Sequence, residues 1–208
     1  MTHERCDILV VGGGPAGLVA AREACAADPG LDVLVLERDR AIGAPVRCGE
    51  GVGMMGVGEF LDPTNAPWSA RRITRVIFWA PDGTEGRGAE GDGGFILDRT
   101  RFEPALAAEA GRLGAEIRTG TEVTGITRSG DGWLATIRGP RGDGTVEARL
   151  VVGADGVESM VGRWAGLDTR VPSRDMESCA QYVVSGIDFD TDAIYLHFGD
   201  RVAPGGYA

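Results

Sequence analysis

Six residues, Gly12-Gly13-Gly14-Pro15-Ala16-Gly17, follow the apolar run Ile8-Leu9-Val10-Val11 and open an Ala-rich stretch. Glu37 then stands twenty residues beyond Gly17, at the end of a second apolar run, Val33-Leu34-Val35-Leu36. Strand, Gly-rich turn, helix, strand and acid in this order form a dinucleotide-binding βαβ unit. Gly12 permits the tight turn out of the strand, Gly14 lets bare main chain approach a pyrophosphate, and Gly17 lets the helix lie close on the strand. The helix N-terminus, where Pro15 and Ala16 sit, offers unpaired N–H groups to an anion. A carboxylate at Glu37 can accept two hydrogen bonds from an adenosine ribose and would repel a 2′-phosphate, which points to FAD or NAD rather than NADP. Because the chain holds 34 glycines, the six residues alone carry little weight. The two flanking strands, the helix and the distant acid give the motif its meaning.

Other chemistries are written out of the sequence. All 21 basic residues are Arg, so lysine Schiff-base and lysine general-base catalysis are excluded from this segment. Cys6, Cys25, Cys48 and Cys179 stand far apart and only two histidines accompany them, a pattern that makes neither a zinc site nor an iron–sulfur cluster. No metal is expected. A net charge of -10 argues against nucleic acid as a partner and against electrostatic attraction to an anionic membrane surface. The opening Met1-Thr2-His3-Glu4-Arg5 runs straight into the first strand, leaving no room for a signal peptide, and no apolar run reaches the length of a membrane span. The expectation is a reduced, cytoplasmic protein whose contact with lipid, if it has one, is peripheral.

These residues need a scaffold, and the patterning predicts an α/β fold. A Rossmann-like parallel sheet is joined by an antiparallel meander and by part of a second, β-rich domain. Asp39 to Gly58 reads as a Gly-rich loop carrying Pro45, Arg47, Cys48 and Glu50. Arg71 to Ala80 reads as one strand, with a turn at Pro81-Asp82-Gly83. Asp98 opens a helix to Gly114, with Phe102, Leu106 and Leu113 as core positions. Four short strands follow, at 115–118, 122–128, 133–138 and 145–149, three of them suited to a meander. Leu150-Val151-Val152 returns to the sheet and stops at Gly153-Ala154-Asp155-Gly156, before a helix from about Glu158 to Ala165. Cys179–Val184 and Ala193–Phe198 read as strands, and 203–208 as a turn. Cys6, Cys25 and Cys179 are expected in the core. The predicted domain division is 1–70 with 95–168 for the cofactor domain, and 71–94 with 169–208 for an incomplete substrate-domain sheet.

Three landmarks in this order resemble the FAD-dependent oxidoreductases built like p-hydroxybenzoate hydroxylase: Gly12–Gly17 with Glu37, Asp98-Arg99-Thr100-Arg101-Phe102, and Gly153-Ala154-Asp155-Gly156 followed by Ser159. Within that superfamily, Pro45-Val46-Arg47-Cys48-Gly49-Glu50 and Ala203-Pro204-Gly205-Gly206-Tyr207 are similar to the geranylgeranyl reductase branch. The resemblance implies that Gly12, Gly14, Pro15, Ala16 and Gly17 hold the FAD pyrophosphate and that Glu37, with Arg38 beside it, binds the adenosine end. It implies that Arg101 reaches toward the cofactor, that the Val123 backbone meets the adenine edge, and that Asp155 with Gly156 serves the ribityl–pyrophosphate side. Cys48, with Gly49 and Gly51 in the same loop, is placed by the isoalloxazine ring. There its thiol could donate a proton, tune the flavin, or only pack.

The activity so implied is saturation of isolated C=C bonds in polyprenyl chains of a lipid or pigment precursor, with NAD(P)H or ferredoxin as electron donor. An isolated alkene is a poor hydride acceptor, so a positioned acid is useful and Cys48 is the catalytic candidate. Two alternatives share the landmarks: an aromatic or polyketide monooxygenase, and a FAD-binding electron-transfer module. The oligomeric state is not written in the sequence. The expectation for these 208 residues is an N-terminal fragment that is inactive alone.

Overall fold

The computed structural model describes residues 2–46, 48, 50–88, 93–176 and 178–208. Arg47 and Gly49, singled out above, lie outside them. In chain order the elements are β1 (Thr2–Val11), α1 (Pro15–Ala27), β2 (Val33–Leu36), β3 (Gly51–Gly53), α2 (Met54–Gly58), β4 (Ser69–Ile73), β5 (Arg75–Trp79), β6 (Glu85–Arg87) and β7 (Gly94–Leu97). Then come α3 (Arg99–Arg112), β8 (Glu116–Arg118), β9 (Glu122–Ser129), β10 (Gly132–Arg138), β11 (Gly144–Gly153), α4 (Met160–Trp164), β12 (Ala193–Gly199) and β13 (Ala203–Tyr207). The chain forms two compact units, Met1–Val46 with Thr100–Cys179, and Arg47–Arg99 with Ala180–Ala208.

The first unit is a six-stranded sheet in the order β8-β2-β1-β11-β10-β9. Its first four strands are parallel, and β11, β10 and β9 form the antiparallel meander. Every residue of Val33–Leu36 is buried, as a parallel strand covered on both faces requires. On one face Val10, Val33 and Val35 pack with Ala21 and Cys25 of α1 and Ala110 of α3. On the other, Leu9, Val11, Leu34 and Leu36 meet Val123, Ile126 and Ile137 of the meander and Val161 of α4. Each such fully buried aliphatic side chain contributes roughly 1.5–3 kcal/mol. β1 is longer than its apolar run because it pairs with β11 from Thr2 to Val11.

The second unit holds a three-stranded sheet, β3-β7-β4, and a four-stranded sheet, β13-β12-β5-β6. Several sequence expectations change here. The single strand expected over 71–80 is two strands, because Thr74 breaks the run: β4 pairs with β7, whereas β5 pairs with β6 and, in parallel, with β12. The loop expected over 39–58 contains β3, whose Gly51–Gly53 backbone is paired by β7. Cys179–Val184 forms no strand, and Tyr182 and Val183 are almost fully exposed. Conversely 203–207, expected as a turn, is β13, because it pairs back onto β12. The pairing of β3 and β4 with β7 is also why 47–70 and 95–99 belong with the second unit, while 169–179 lies with the first.

Candidate functional site

In the first unit the Gly-rich turn joins the end of β1 to α1, and its glycines answer to different demands. Gly12 has φ of 110°, and a Cβ there would lie 2.2 Å from the Ala154 carbonyl oxygen. A Cβ at Gly17 would lie 2.0 Å from the Gly12 carbonyl oxygen. Both positions are closed by the protein's own packing. At Gly14 a Cβ would meet nothing within 4 Å, so the protein itself has no steric reason for glycine there. Open space here is the fit that a pyrophosphate brought against the main chain would need. Gly14 is the N-cap of α1, Pro15 begins the helix, and no side chain caps this end. The N–H groups of the first turn, Ala16 and Gly17 among them, therefore face outward to an anion.

Glu37 is held beside this turn. Its Oε2 accepts from the Gly13 N–H at 2.7 Å and its Oε1 from the Asp39 N–H at 2.7 Å. Each carboxylate oxygen keeps lone pairs for a further donor, so the acid is aimed in advance. Its main chain is fixed too, with N–H to Arg118 O at 2.9 Å and O from Thr121 N–H at 2.8 Å. Arg38 pairs with Glu158 at 2.7 Å, and that carboxylate holds the guanidinium pKa above its ordinary value. Asp155 sits two residues past the end of β11, where Ala154 N–H bonds to Val11 O at 2.8 Å. The Asp155 Oδ2 accepts from Val161 N–H of α4 at 2.8 Å, so one of its oxygens orders the following helix. Gly156 has φ of 73°, and Ser159, at 43°, is a non-glycine residue in the same left-handed region. Such strain persists only where the surroundings fix it.

The structure thus gathers Gly12, Gly14, Pro15, Ala16, Gly17, Glu37, Arg38, Asp155 and Gly156 at the ends of β1, β2 and β11. Val123 turns its side chain into the core that also holds Val11 and Leu36. Arg101 is exposed on the first turn of α3.

The second unit carries a separate feature, a cleft of about 400 Å³. Cys48, Glu50 and Gly51 border it. Its remaining lining is largely apolar, drawn from Val52, Ile73, Val76, Ile96, Ile194, Leu196 and Tyr207. β12 runs parallel to β5 with Ile194 opposite Val76, which brings residues distant in sequence into one wall. Cys48 and Gly51 thus line the same cleft, with Gly51 in β3 and not in a loop.

The cysteines divide by environment. Cys6 and Cys25 are buried as expected, whereas Cys179 is exposed because the strand meant to bury it does not form. Burial, helped by Asp32 and Asp7, pushes the Cys6 thiol up to about 12, so it stays protonated and unreactive. Cys48 is exposed. Among the described residues no His, Cys, Asp and Glu cluster could hold a metal ion. Sequence reasoning missed the Glu158 partner of Arg38 and the contribution of β12 to the cleft. Neither follows from local spacing.

An open, parallel-centred sheet with an uncapped, glycine-lined helix start and an aimed acid has the build of a dinucleotide-binding domain. The chain belongs to the FAD binding domain family, whose model matches residues 72–195. A model of the Thi4 family matches residues 1–57, which include the Gly-rich turn and Glu37. The chain is 41% identical to the digeranylgeranylglycerophospholipid reductase of Methanosarcina acetivorans over 97% of its own length and 50% of that protein's. The corresponding figures for the enzyme of the same name from Methanocella arvoryzae are 42%, 97% and 52%. The chain therefore spans about half the length of the curated relatives it matches. Among solved structures it is similar to a geranylgeranyl bacteriochlorophyll reductase-like protein from Thermoplasma acidophilum. The TM-score is 0.81 and the identity 30%, over 97% of this chain and 52% of that one. An anhydrotetracycline hydroxylase from Streptomyces rimosus matches at TM-score 0.61 and 30% identity, over 79% and 34% of the two chains.

Proposed function

We propose that this chain is the cofactor-binding portion of a FAD-dependent reductase that saturates isolated C=C bonds in geranylgeranyl-type lipids, with NAD(P)H or ferredoxin as the source of electrons. The observation that carries it is the cleft of the second unit: a thiol, Cys48, at the border of a lining that is otherwise mostly apolar. Such a lining suits a hydrocarbon chain and offers little to a polar substrate. The names of the reductases it resembles support the same substrate class.

In this proposal the main chain at Gly12, Gly14, Pro15, Ala16 and Gly17 holds the FAD diphosphate, while Glu37, Arg38 and the Val123 backbone serve the adenosine end. Arg101, Asp155 and Gly156 support the remainder of the cofactor, and Gly51 stands with Cys48 in the lining of the cleft. FAD, when bound and reduced by the external donor, would supply the hydride chemistry for one alkene carbon. The Cys48 thiol gives its proton to the other carbon and recovers one from solvent, so each bond gains two hydrogens and the electrons come from the external donor. No helix among the described residues is long and apolar enough to cross a membrane, and the proposal brings lipid to the protein by peripheral contact.

The test is incubation of the full-length protein with FAD, a chemical reductant and a digeranylgeranylglycerophospholipid. The expected result by mass spectrometry is stepwise gain of two hydrogens per double bond, while Cys48→Ala keeps its FAD and loses at least about tenfold in rate. Unchanged turnover in Cys48→Ala would demote the thiol to packing. The likeness to the hydroxylase favours a second reading, an aromatic monooxygenase, because the two share the dinucleotide-binding architecture. Oxygen-dependent hydroxylation of a ring substrate with no prenyl reduction would favour it.

A further inference from the structure

We propose that Glu50 is the positioning residue of Cys48, an assignment that rests on the reductase reading above and on geometry confined to the second unit. From sequence, Glu50 looks like a surface charge, a general acid or an anion contact. Its bonds assign it another task. With φ of 64° it is, with Ser159, one of two non-glycine residues of positive φ among the described residues. A backbone in that region needs its neighbours to keep it there.

Two anchors do so. The Glu50 carbonyl accepts from the Leu97 N–H at 2.8 Å, which extends the pairing of β3 with β7 by one residue. The Glu50 Oε1 accepts from the Arg99 N–H at 3.1 Å, at the first residue of α3. Main chain and side chain are thus fixed to points two residues apart. The third bond faces the other way: the Glu50 N–H donates to Cys48 Sγ at 3.4 Å. The thiol thus receives its bond from a backbone N–H that belongs to a residue anchored on both sides. With the carboxylate committed to Arg99, the consequence of the arrangement falls on the thiol, which is held at the border of the apolar cleft that Glu50 also lines.

The experiment uses the full-length protein in a Cys179→Ser background, so that Cys48 is the one exposed thiol among the described residues. Three variants are compared with it: Glu50→Ala, Glu50→Gln, whose amide oxygen still accepts from Arg99, and Glu50→Gly, which adopts positive φ freely and deletes the side chain. Two quantities are read: the rate of Cys48 alkylation by iodoacetamide without cofactor, and kcat and KM for the prenyl lipid with FAD. Glu50→Ala and Glu50→Gly are expected to change the alkylation rate by about threefold or more and to lower kcat about tenfold, with KM and FAD stoichiometry unchanged. Glu50→Gln is expected within about twofold of the parent. Where the alanine variant fails to fold, the glycine variant decides. Parent-like alkylation and kcat in Glu50→Gly would overturn the assignment, as would a Glu50→Gln variant as impaired as Glu50→Ala. A parent that reduces no prenyl lipid would overturn the functional reading instead, while the alkylation comparison would still judge Glu50.

Discussion

The Gly-rich turn of the first unit and the cleft of the second are built by opposite means. The turn is a main-chain device in which backbone and a single carboxylate close on one another: Gly12 against Ala154, Gly17 against Gly12, Glu37 onto Gly13 and Asp39. The cleft is a side-chain device assembled from β3, β4, β5, β7, β12 and β13, with Cys48 and Leu196 nearly one hundred and fifty residues apart. A main-chain site tolerates few substitutions and recognises a charge pattern common to many ligands. A side-chain site tolerates many and reads shape and polarity, which is why the proposed function places substrate choice in the cleft.

The contrast is broken most sharply at Gly17. Gly17→Ala drives a methyl group into the Gly12 carbonyl and should cost roughly 3 kcal/mol or leave the protein insoluble. Thermal unfolding followed by circular dichroism measures it, and a variant with parent-like Tm would show that the helix start can shift. Next in size is Glu37→Ala, which removes the partner of two backbone N–H groups and, in the proposed reading, an acceptor for the adenosine end. A loss of about 1–3 kcal/mol in stability is expected together with weaker FAD binding. Titration calorimetry on the folded variant separates the two, and full FAD affinity would free Glu37 from its assigned role. The smallest effect is expected in the cleft. Ile194→Asn should raise KM for the prenyl lipid by about fivefold to thirtyfold while leaving FAD affinity unchanged, since one branched aliphatic wall is exchanged for an amide. An altered FAD affinity would mean that the two devices are less independent than their construction suggests.

The same difference in construction explains what the sequence could and could not reveal. The βαβ unit, Glu37, the meander and the helix at 99–112 are local patterns, so Ile8 to Val11, Val33 to Leu36 and Phe102 with Leu106 are legible from periodicity and spacing. Arg71–Ala80 looked continuous because nothing in its alternation signals that Thr74 passes the chain from one sheet to another. Cys179–Val184 has strand composition without a strand partner, and 203–207 gains one despite Pro204 and two glycines, because pairing is a tertiary fact. The Gly-rich loop announced Cys48 and Glu50 but not what Glu50 is bonded to. Its bonds to Leu97 and Arg99 span almost fifty residues.

The central claim is that open main chain at Gly14 exists for the FAD diphosphate, and the most direct test is FAD titration of the full-length protein and of its Gly14→Val variant, with circular dichroism on both. The account predicts a yellow parent and a variant equally folded but at least about one hundredfold weaker for FAD, because its new side chain meets only the ligand. A colourless parent, or a Gly14→Val variant that binds FAD as the parent does, would contradict it.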